Sequence, residues 1–273
     1  MKRALTILLW VVSQFATPLF AQFDFPPMGG ASSAMGGTSV ALDDDESAVT
    51  GIAGLAWLKS GMAALSCRNN FNIEGLGYIA ATFAMPVNVG GWSLSAVHYG
   101  NVDYNEQRVS LAYALPLSKT LSLGAAFHYL HSGTSDPYYD PLNRLTFSVA
   151  MLLRPDDRLS VAFKAFNPIA VTVGDQQGSH SPAVFNLGVA YWLLEDMQAV
   201  AEVEKNYYRP ASLRFGMQYR FFEDYYFRMG LATNPVIYTF GMAMQKDHLG
   251  LSMAFQIHSV LGMTPHLSLN YRF

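Results

Sequence analysis

Large apolar residues alternate with small or polar residues along most of this 273-residue sequence. In 121–129, leucine, alanine, phenylalanine and tyrosine occupy one face, and serine, glycine, alanine and histidine occupy the other. A period of two is typical of a β-strand whose two faces lie in different environments. The same alternation recurs in 144–153, 212–221, 248–257 and 266–273. The pattern therefore predicts an all-β chain.

The face of small residues favours a membrane barrel over a soluble sandwich. A soluble sandwich would carry many charges on that face, but only 14% of the residues here are charged. Ordinary domains have about 25%. Backbone polar groups must all be paired inside a bilayer, so strands can cross it only as a closed barrel. Aromatic residues near segment ends, such as Tyr219, Phe221 and Phe273, fit the girdles at the membrane interfaces.

The composition also excludes other classes of protein. A hydrophobic content of 51% argues against disorder, and a net charge of −3 provides no basic surface for nucleic acid. After residue 21, no stretch reaches the roughly 18 apolar residues of a membrane helix. The longest apolar region, 79–89, is interrupted by Pro86 and Asn88. The single Cys67 cannot form an internal disulfide.

We expect fourteen membrane-spanning strands, because about fourteen alternating segments have the roughly ten-residue length of a tilted spanning strand. An even number is typical of bacterial outer-membrane barrels. Tight turns at one rim and longer connections at 132–141 and 167–182 predict periplasmic and extracellular sides, respectively. The expected strands are 61–70, 74–86, 91–101, 105–116, 119–132, 142–154, 157–167, 183–194, 197–208, 211–222, 224–233, 235–246, 248–258 and 263–273.

The N-terminus has the composition of a cleaved secretory signal peptide. Lys2 and Arg3 precede the apolar run 4–12, and Ala21 ends a tolerable cleavage site. An uncleaved anchor is the alternative, but the run is short for a membrane span. We therefore expect export to the outer membrane of a Gram-negative cell. The expected divisions of the chain are a signal peptide at 1–21, a segment that plugs the lumen at 22–60, and the transmembrane barrel at 61–273.

Residues 22–58 lack the alternation of a spanning strand. A Gly-Gly pair at 36–37 precedes the Val-Ala-Leu run at 40–42 and the acidic run 43–46. Small residues permit close packing inside a confined lumen. A flexible leader is the alternative, but the apolar content of 47–57 argues against it.

This segment resembles the FadL-like superfamily of outer-membrane barrels, closest to the PorV/PorQ branch of Bacteroidota. That branch carries an alanine followed by Met-Gly-Gly, then Val-Ala-Leu, an Asp-Asp pair and Asn-Pro-Ala-Gly-Leu. Here Gly51 and Ile52 stand where the branch usually has Asn-Pro. The resemblance implies a fourteen-stranded barrel with its N-terminal segment in the lumen. The matching residues are Ala31, Met35, Gly36, Gly37, Val40, Ala41, Leu42, Asp44, Asp45, Ala53, Gly54 and Leu55.

Charges of both signs fall on the inward face, where they avoid the cost of about 2–4 kcal/mol for a charge in lipid. We interpret them as internal ion pairs that hold the plug; a selectivity filter is the alternative. A solvated helix start is the alternative for the acidic run. The expected network comprises Asp43, Asp44, Asp45, Arg108, Arg144, Glu202, Glu204, Arg214, Arg220, Arg228 and Arg272. Inward glycines leave space for the plug or for a hydrophobic ligand; they are Gly124, Gly188, Gly216, Gly230, Gly241 and Gly250.

No nucleophile, metal or phosphate-loop motif is present, so we expect neither an enzyme nor a cofactor. The resemblance implies an accessory or scaffold subunit in type IX secretion or a related outer-membrane assembly machine. Its partners would be membrane lipid and other outer-membrane or secretion proteins, with Tyr138 and Tyr139 as extracellular contacts. The alternative is a FadL-like passive transporter of hydrophobic small molecules. That function needs a lateral opening, for which the third strand near His98–Gly100 is the expected place.

Overall fold

The computed structural model describes residues 23–42, 44–169 and 181–273, and these form a closed antiparallel barrel of fourteen strands. Each strand pairs with its neighbours in the chain, and β1 pairs with β14. The predicted all-β barrel is confirmed. The strands are β1 Met62–Asn69, β2 Gly77–Pro86, β3 Gly91–Gly100, β4 Tyr104–Pro116, β5 Leu121–Thr134, β6 Leu142–Leu153, β7 Leu159–Phe166, β8 Val184–Leu194, β9 Met197–Asn206, β10 Ser212–Phe222, β11 Tyr225–Ala232, β12 Ile237–Lys246, β13 Leu249–His258 and β14 Gly262–Arg272.

Burial alternates along the strands in the predicted sense. In β5, Ser122, Ala126 and His128 face inward and are buried, whereas Phe127 faces outward and is 72% exposed. Successive side chains of a strand point to opposite faces, so the sequence alternation places large apolar groups towards lipid. The small inward residues leave room within the barrel for another part of the chain.

The two rims of the barrel differ in their connections. On one rim, which we call the short-turn rim, two residues join β8 to β9, and two others join β12 to β13. On the opposite rim, called the long-loop rim, residues 135–141 join β5 to β6 and residues 167–183 join β7 to β8. Outer-membrane barrels place short turns in the periplasm, so we assign the long-loop rim to the extracellular side.

Two short helices and one 3₁₀ turn precede β1. Helix α1 spans Gly30–Ala34, helix α2 spans Asp45–Gly51, and the 3₁₀ turn spans Ala53–Trp57. Helix α1 contacts β11 to β14, and the 3₁₀ turn contacts β2 to β6. In the described parts of the chain, no helix has the length and apolar character needed to cross a membrane.

Strand β3 is continuously paired where a lateral opening was expected. It pairs with β2 as far as Tyr78 and Tyr99, and with β4 as far as Gly100 and Asn105. The expected interruption at His98–Gly100 is therefore wrong. The physical reason is that β2 extends far enough to pair β3 as far as Tyr99, and β4 extends far enough to pair it to its end at Gly100.

A charge on the outer wall should destabilise the barrel according to its depth. Phe127 lies near the middle of β5, so Phe127→Arg is expected to lower the free energy of unfolding by about 2–4 kcal/mol. Leu121→Arg, at the end of the same strand, should cost only about 0–1 kcal/mol. Urea unfolding in lipid vesicles, followed by tryptophan fluorescence, measures both. Equal losses at the two positions would contradict the assignment of this face to lipid.

Candidate functional site in the barrel lumen

Residues 23–58, called the N-terminal segment below, are hydrogen-bonded to inward side chains of the wall. On β9, the buried carboxylate of Glu202 accepts hydrogen bonds from the backbone N–H groups of Ser39 at 2.7 Å and Val40 at 3.1 Å. On β10, Arg214 donates from Nη1 to the carbonyl of Gly37 at 2.9 Å and from Nη2 to Glu204. One carboxylate and one guanidinium therefore hold the Gly37–Val40 backbone from adjacent strands.

A second carboxylate belongs to the segment itself and contacts β14. Glu46 in α2 accepts hydrogen bonds from Ser268 Oγ at 2.5 Å and from Asn270 Nδ2 at 3.0 Å, both on β14. It also accepts from the backbone N–H of Gly30 at 2.7 Å. Glu46 thus joins α1, α2 and β14 through one side chain.

The start of the segment is fixed near the long-loop rim. The backbone N–H of Phe23 donates to Glu106 on β4 at 2.9 Å, and Tyr104 donates to the same carboxylate at 2.6 Å. The Phe23 ring is buried against Leu130 and Phe166. This end of the segment therefore has both a polar and an apolar anchor.

Neutral side chains supply further contacts around the circumference. Thr239 on β12 donates to the carbonyl of Ala34 at 2.7 Å and accepts from the N–H of Gly36 at 2.8 Å. Ser122 on β5 donates to the carbonyl of Ala53 at 2.9 Å. Two further donors reach segment carbonyls: Gln256 to Ser33 at 3.1 Å and Lys164 to Thr50 at 2.8 Å. Eight strands from β4 to β14 hydrogen-bond to the segment in this way.

The inward glycines of the wall lie directly beneath the segment. A Cβ added at Gly216 would lie 2.5 Å from Met35 Cβ, and one at Gly188 would lie 2.7 Å from Val40. A Cβ at Gly230 would meet the backbone of Met35 and Gly36, at 2.5 Å from the Met35 carbonyl carbon. These glycines accommodate the segment by close approach of two backbones.

Two of the cavities beside the segment lie on either side of residues 24–27. The first has a volume of about 120 Å³ and is lined by Phe23, Phe25, Ala126 and Lys164, among others. The second has a volume of about 150 Å³. It is lined by Arg68, Asn206, Arg209 and Ile237, among others.

Charged groups and a histidine give the first cavity its polar side. The Arg108 guanidinium lies 4.8 Å from the centroid of the Phe25 ring. His128 lies between two hydroxyls, with Nδ1 2.7 Å from Ser110 Oγ and Nε2 2.8 Å from Ser148 Oγ. The cavity therefore combines aromatic and aliphatic surface with hydrogen-bonding groups.

The remaining members of the expected network have different surroundings. Arg144 is buried on β6, and its Nε and Nη1 donate no hydrogen bond within the described chain. Arg228 donates to Gln218 at 3.2 Å and lines a small cavity with Asp44 and Glu46.

Two of the expected arginines lie near the short-turn rim. Arg220 forms an exposed ion pair with Asp196 at 2.7 Å, away from the segment. Arg272 lines the same small cavity as Arg228, and it lies 3.0 Å from the side-chain amide of Gln245. Asp43 and the side chain of Asp45 lie outside the described residues.

Two carboxylates that hold the segment, Glu46 and Glu106, are not in the network expected from the sequence. In the sequence, Glu46 stands out only as the last residue of the acidic run 43–46. The sequence contained one usable signal, because Glu106 falls on the inward register beside Arg108 and Ser110. The uncharged partners Thr239 and Gln256 carried no such signal. Among the described residues, no cluster of three or more His, Cys, Asp or Glu side chains is placed to hold a metal ion.

The closed barrel, the apolar outer wall and the short-turn rim define a protein of the outer-membrane β-barrel class. No protein-family model matches the sequence, and no curated protein matches it. Solved structures with the same fold do exist. A FadL homologue of Pseudomonas aeruginosa has a TM-score of 0.69 at 12% identity, covering 93% of this chain and 100% of that one.

Two further structures share the fold. The Ralstonia pickettii toluene transporter TbuX has a TM-score of 0.69 at 12% identity, covering 92% of this chain and 100% of its own. The Pseudomonas putida toluene transporter TodX has a TM-score of 0.65 at 13% identity, covering 92% and 98%. At such identities the likeness concerns the fold, and this fold is found in FadL-type barrels.

Proposed function

We propose that this protein belongs to the FadL-like superfamily and carries small hydrophobic molecules across the outer membrane. In this proposal the N-terminal segment is a plug that closes the lumen at rest. The observation that carries the proposal is the cavity of about 120 Å³ between the segment and the wall. Support also comes from the shared fold of two toluene transporters along more than nine-tenths of this chain.

At about 120 Å³, the cavity approaches the size needed for a single aromatic ring, and part of its lining is apolar. An apolar protein cavity of about 150 Å³ is large enough to bind benzene. Phe23, Phe25 and Phe166 supply aromatic surface, and Val97 and Ala126 supply aliphatic surface. Passage beyond the cavity requires the segment to shift, because the space below it is filled by the cluster around Met35 and Leu55.

Filling the cavity should slow toluene uptake strongly. Ala126 is buried and lines the cavity, so Ala126→Phe is expected to lower the initial rate of toluene uptake by about tenfold or more. Uptake of radiolabelled toluene into cells that express the protein as their sole hydrocarbon channel measures this. The matched control is Ala125→Phe, since Ala125 is the next residue along β5 and faces outward.

Wild-type cells that take up toluene no faster than cells without the protein would contradict the transport proposal. Equal uptake by the Ala126→Phe and Ala125→Phe variants would show that toluene does not pass through the cavity. Heat-modifiable migration on gels verifies that both variants form a folded barrel in equal amounts.

The second candidate is an accessory subunit of a type IX secretion or outer-membrane assembly complex, as the PorV/PorQ resemblance implies. A lumen whose occupant is bonded to eight strands favours a barrel that acts through its outer surface. Tyr138 and Tyr139, which are 92% and 68% exposed on the loop between β5 and β6, are the proposed contacts.

Gentle purification from native membranes separates the two candidates. Stoichiometric co-purification with another outer-membrane or surface protein would support the accessory role. A lone barrel with a bound hydrophobic molecule would support transport.

A further inference from the structure

A row of polar side chains crosses the outer wall of four adjacent strands. His98 on β3 is paired with Gln107 on β4, Gln107 with His131 on β5, and His131 with Asn143 on β6. All four residues face outward, and each lies within three residues of its strand's end at the long-loop rim. We call these four residues the polar row.

The polar row is partly organised by internal hydrogen bonds. The amide oxygen of Asn143 accepts from Tyr129 Oη at 2.6 Å and lies 2.8 Å from His131 Nδ1. The Gln107 amide donates to Asn105 at 3.5 Å. Within the described chain, neither the ring nitrogens of His98 nor the amide nitrogen of Asn143 has a hydrogen-bond partner. Donors and acceptors on several strands therefore remain available on one surface.

On the opposite wall, the residues at the same height are apolar, apart from the hydroxyl group of Tyr238. They are outward residues of β10 to β14, in register at the same rim, namely Phe215, Leu231, Tyr238, Ile257 and Met263. A polar row is thus not a general property of this rim. The difference between β3–β6 and the wall formed by β10–β14 indicates a local role.

Apolar surface continues directly beneath the polar row. Leu111, Phe127 and Leu145 face outward and are 55%, 72% and 59% exposed. Tyr129, 44% exposed, lies beside Leu145 and two residues before His131 of the row. Tyrosine at this height is typical of the boundary between hydrocarbon and headgroups. A ligand that covers both surfaces must have an acyl region below and a polar headgroup above.

The chemistry of the row selects the kind of headgroup. The row contains no Lys or Arg, the residues that recognise phosphate most strongly. The loops above it carry Asp103, Asp136 and Asp140, which repel an anion. Imidazole and amide groups both donate and accept hydrogen bonds, as sugar hydroxyls do.

We propose that the polar row binds the uncharged sugar headgroup of an outer-leaflet glycolipid, with its acyl chains on Leu111, Phe127 and Leu145. The proposal is independent of whether the lumen transports a molecule. It assigns a lipid-binding face to strands β3–β6.

Native mass spectrometry of the full-length protein in dodecylphosphocholine micelles tests the proposal. The probe is digalactosyldiacylglycerol, and phosphatidylglycerol with the same acyl chains is the comparison lipid. Wild-type protein is expected to bind the glycolipid about tenfold more tightly, since several hydrogen bonds contribute. The variant with His98→Leu, Gln107→Leu, His131→Leu and Asn143→Leu should lose this preference. These outward changes leave the lumen untouched and place apolar residues at the edge of the membrane.

The control carries Phe215→Leu, Tyr238→Leu and Ile257→Leu on the opposite wall and should keep the preference. Equal glycolipid binding by the wild type and the polar-row variant would overturn the proposal, as would equal binding of both lipids by the wild type. If free digalactose bound as tightly as the glycolipid, the acyl chains would contribute nothing, and the proposal of a lipid ligand would be overturned. Loss of a co-purifying protein from the polar-row variant, without loss of glycolipid, would identify a protein partner and overturn the proposal.

Discussion

Gly230→Val is expected to displace the N-terminal segment while the barrel stays closed. The new side chain would overlap the backbone of Met35 and Gly36, which cannot move aside as a flexible side chain can. Overpacking of this kind costs about 1–3 kcal/mol, so amide exchange in the segment should accelerate by about 5- to 150-fold. Hydrogen-exchange mass spectrometry of peptides covering 30–42 measures the effect.

Gly77→Val is the matched control. Gly77 is also in a strand, but a Cβ there meets only the Arg68 carbonyl oxygen at 3.8 Å. This variant should leave exchange in 30–42 unchanged. If Gly230→Val protein also showed unchanged exchange there, the close contact between wall and segment would be refuted. Channel recordings in planar bilayers provide a second measurement, because displacement of the segment opens a conductive lumen.

Glu202→Leu is also expected to loosen the segment, because it removes a hydrogen-bond acceptor from the wall. The N–H groups of Ser39 and Val40 would lose their partner while remaining buried. Each unsatisfied buried donor costs about 1–3 kcal/mol. Arg214 would also lose a carboxylate 3.8 Å away. We expect a lower free energy of unfolding and faster exchange at Ser39 and Val40, measured by urea titration and hydrogen exchange.

Two comparison variants test whether the loss of stability comes from removing the buried carboxylate. Glu202→Gln keeps one acceptor oxygen and should lie between the wild type and Glu202→Leu. Asp196→Leu breaks the exposed ion pair with Arg220 and should cost only about 0–1 kcal/mol. A Glu202→Leu protein as stable as Asp196→Leu would show that the segment does not depend on this carboxylate.

The barrel wall was predictable from the sequence because one physical rule governs every strand. Lipid outside and a confined space inside impose the same alternation, as in the contrast between Ser122 and Phe127 within β5. Many strand ends are marked by turn residues such as Pro155 and Asp156. Fourteen repeats of a local rule therefore specified both the strand number and the face of each residue.

The contacts of the lumen could not be derived in the same way. The segment is held by pairs far apart in sequence, such as Glu46 with Asn270, and no periodicity relates their positions. Charge alone was a poor guide, because Arg220 is paired at a rim while the uncharged Thr239 makes two segment contacts. The sequence indicated which side chains face inward, but not which of them meet the segment.

The hydrogen bonds around residues 23–58 also tie the lumen to closure of the barrel. These bonds come from strands that lie far apart in the chain, from Glu106 in β4 to Asn270 in β14. No single hairpin carries more than a few of these partners. The complete set of contacts therefore exists only when strands from both halves of the chain stand in one closed wall, so the packing of the lumen reports on closure of the whole barrel.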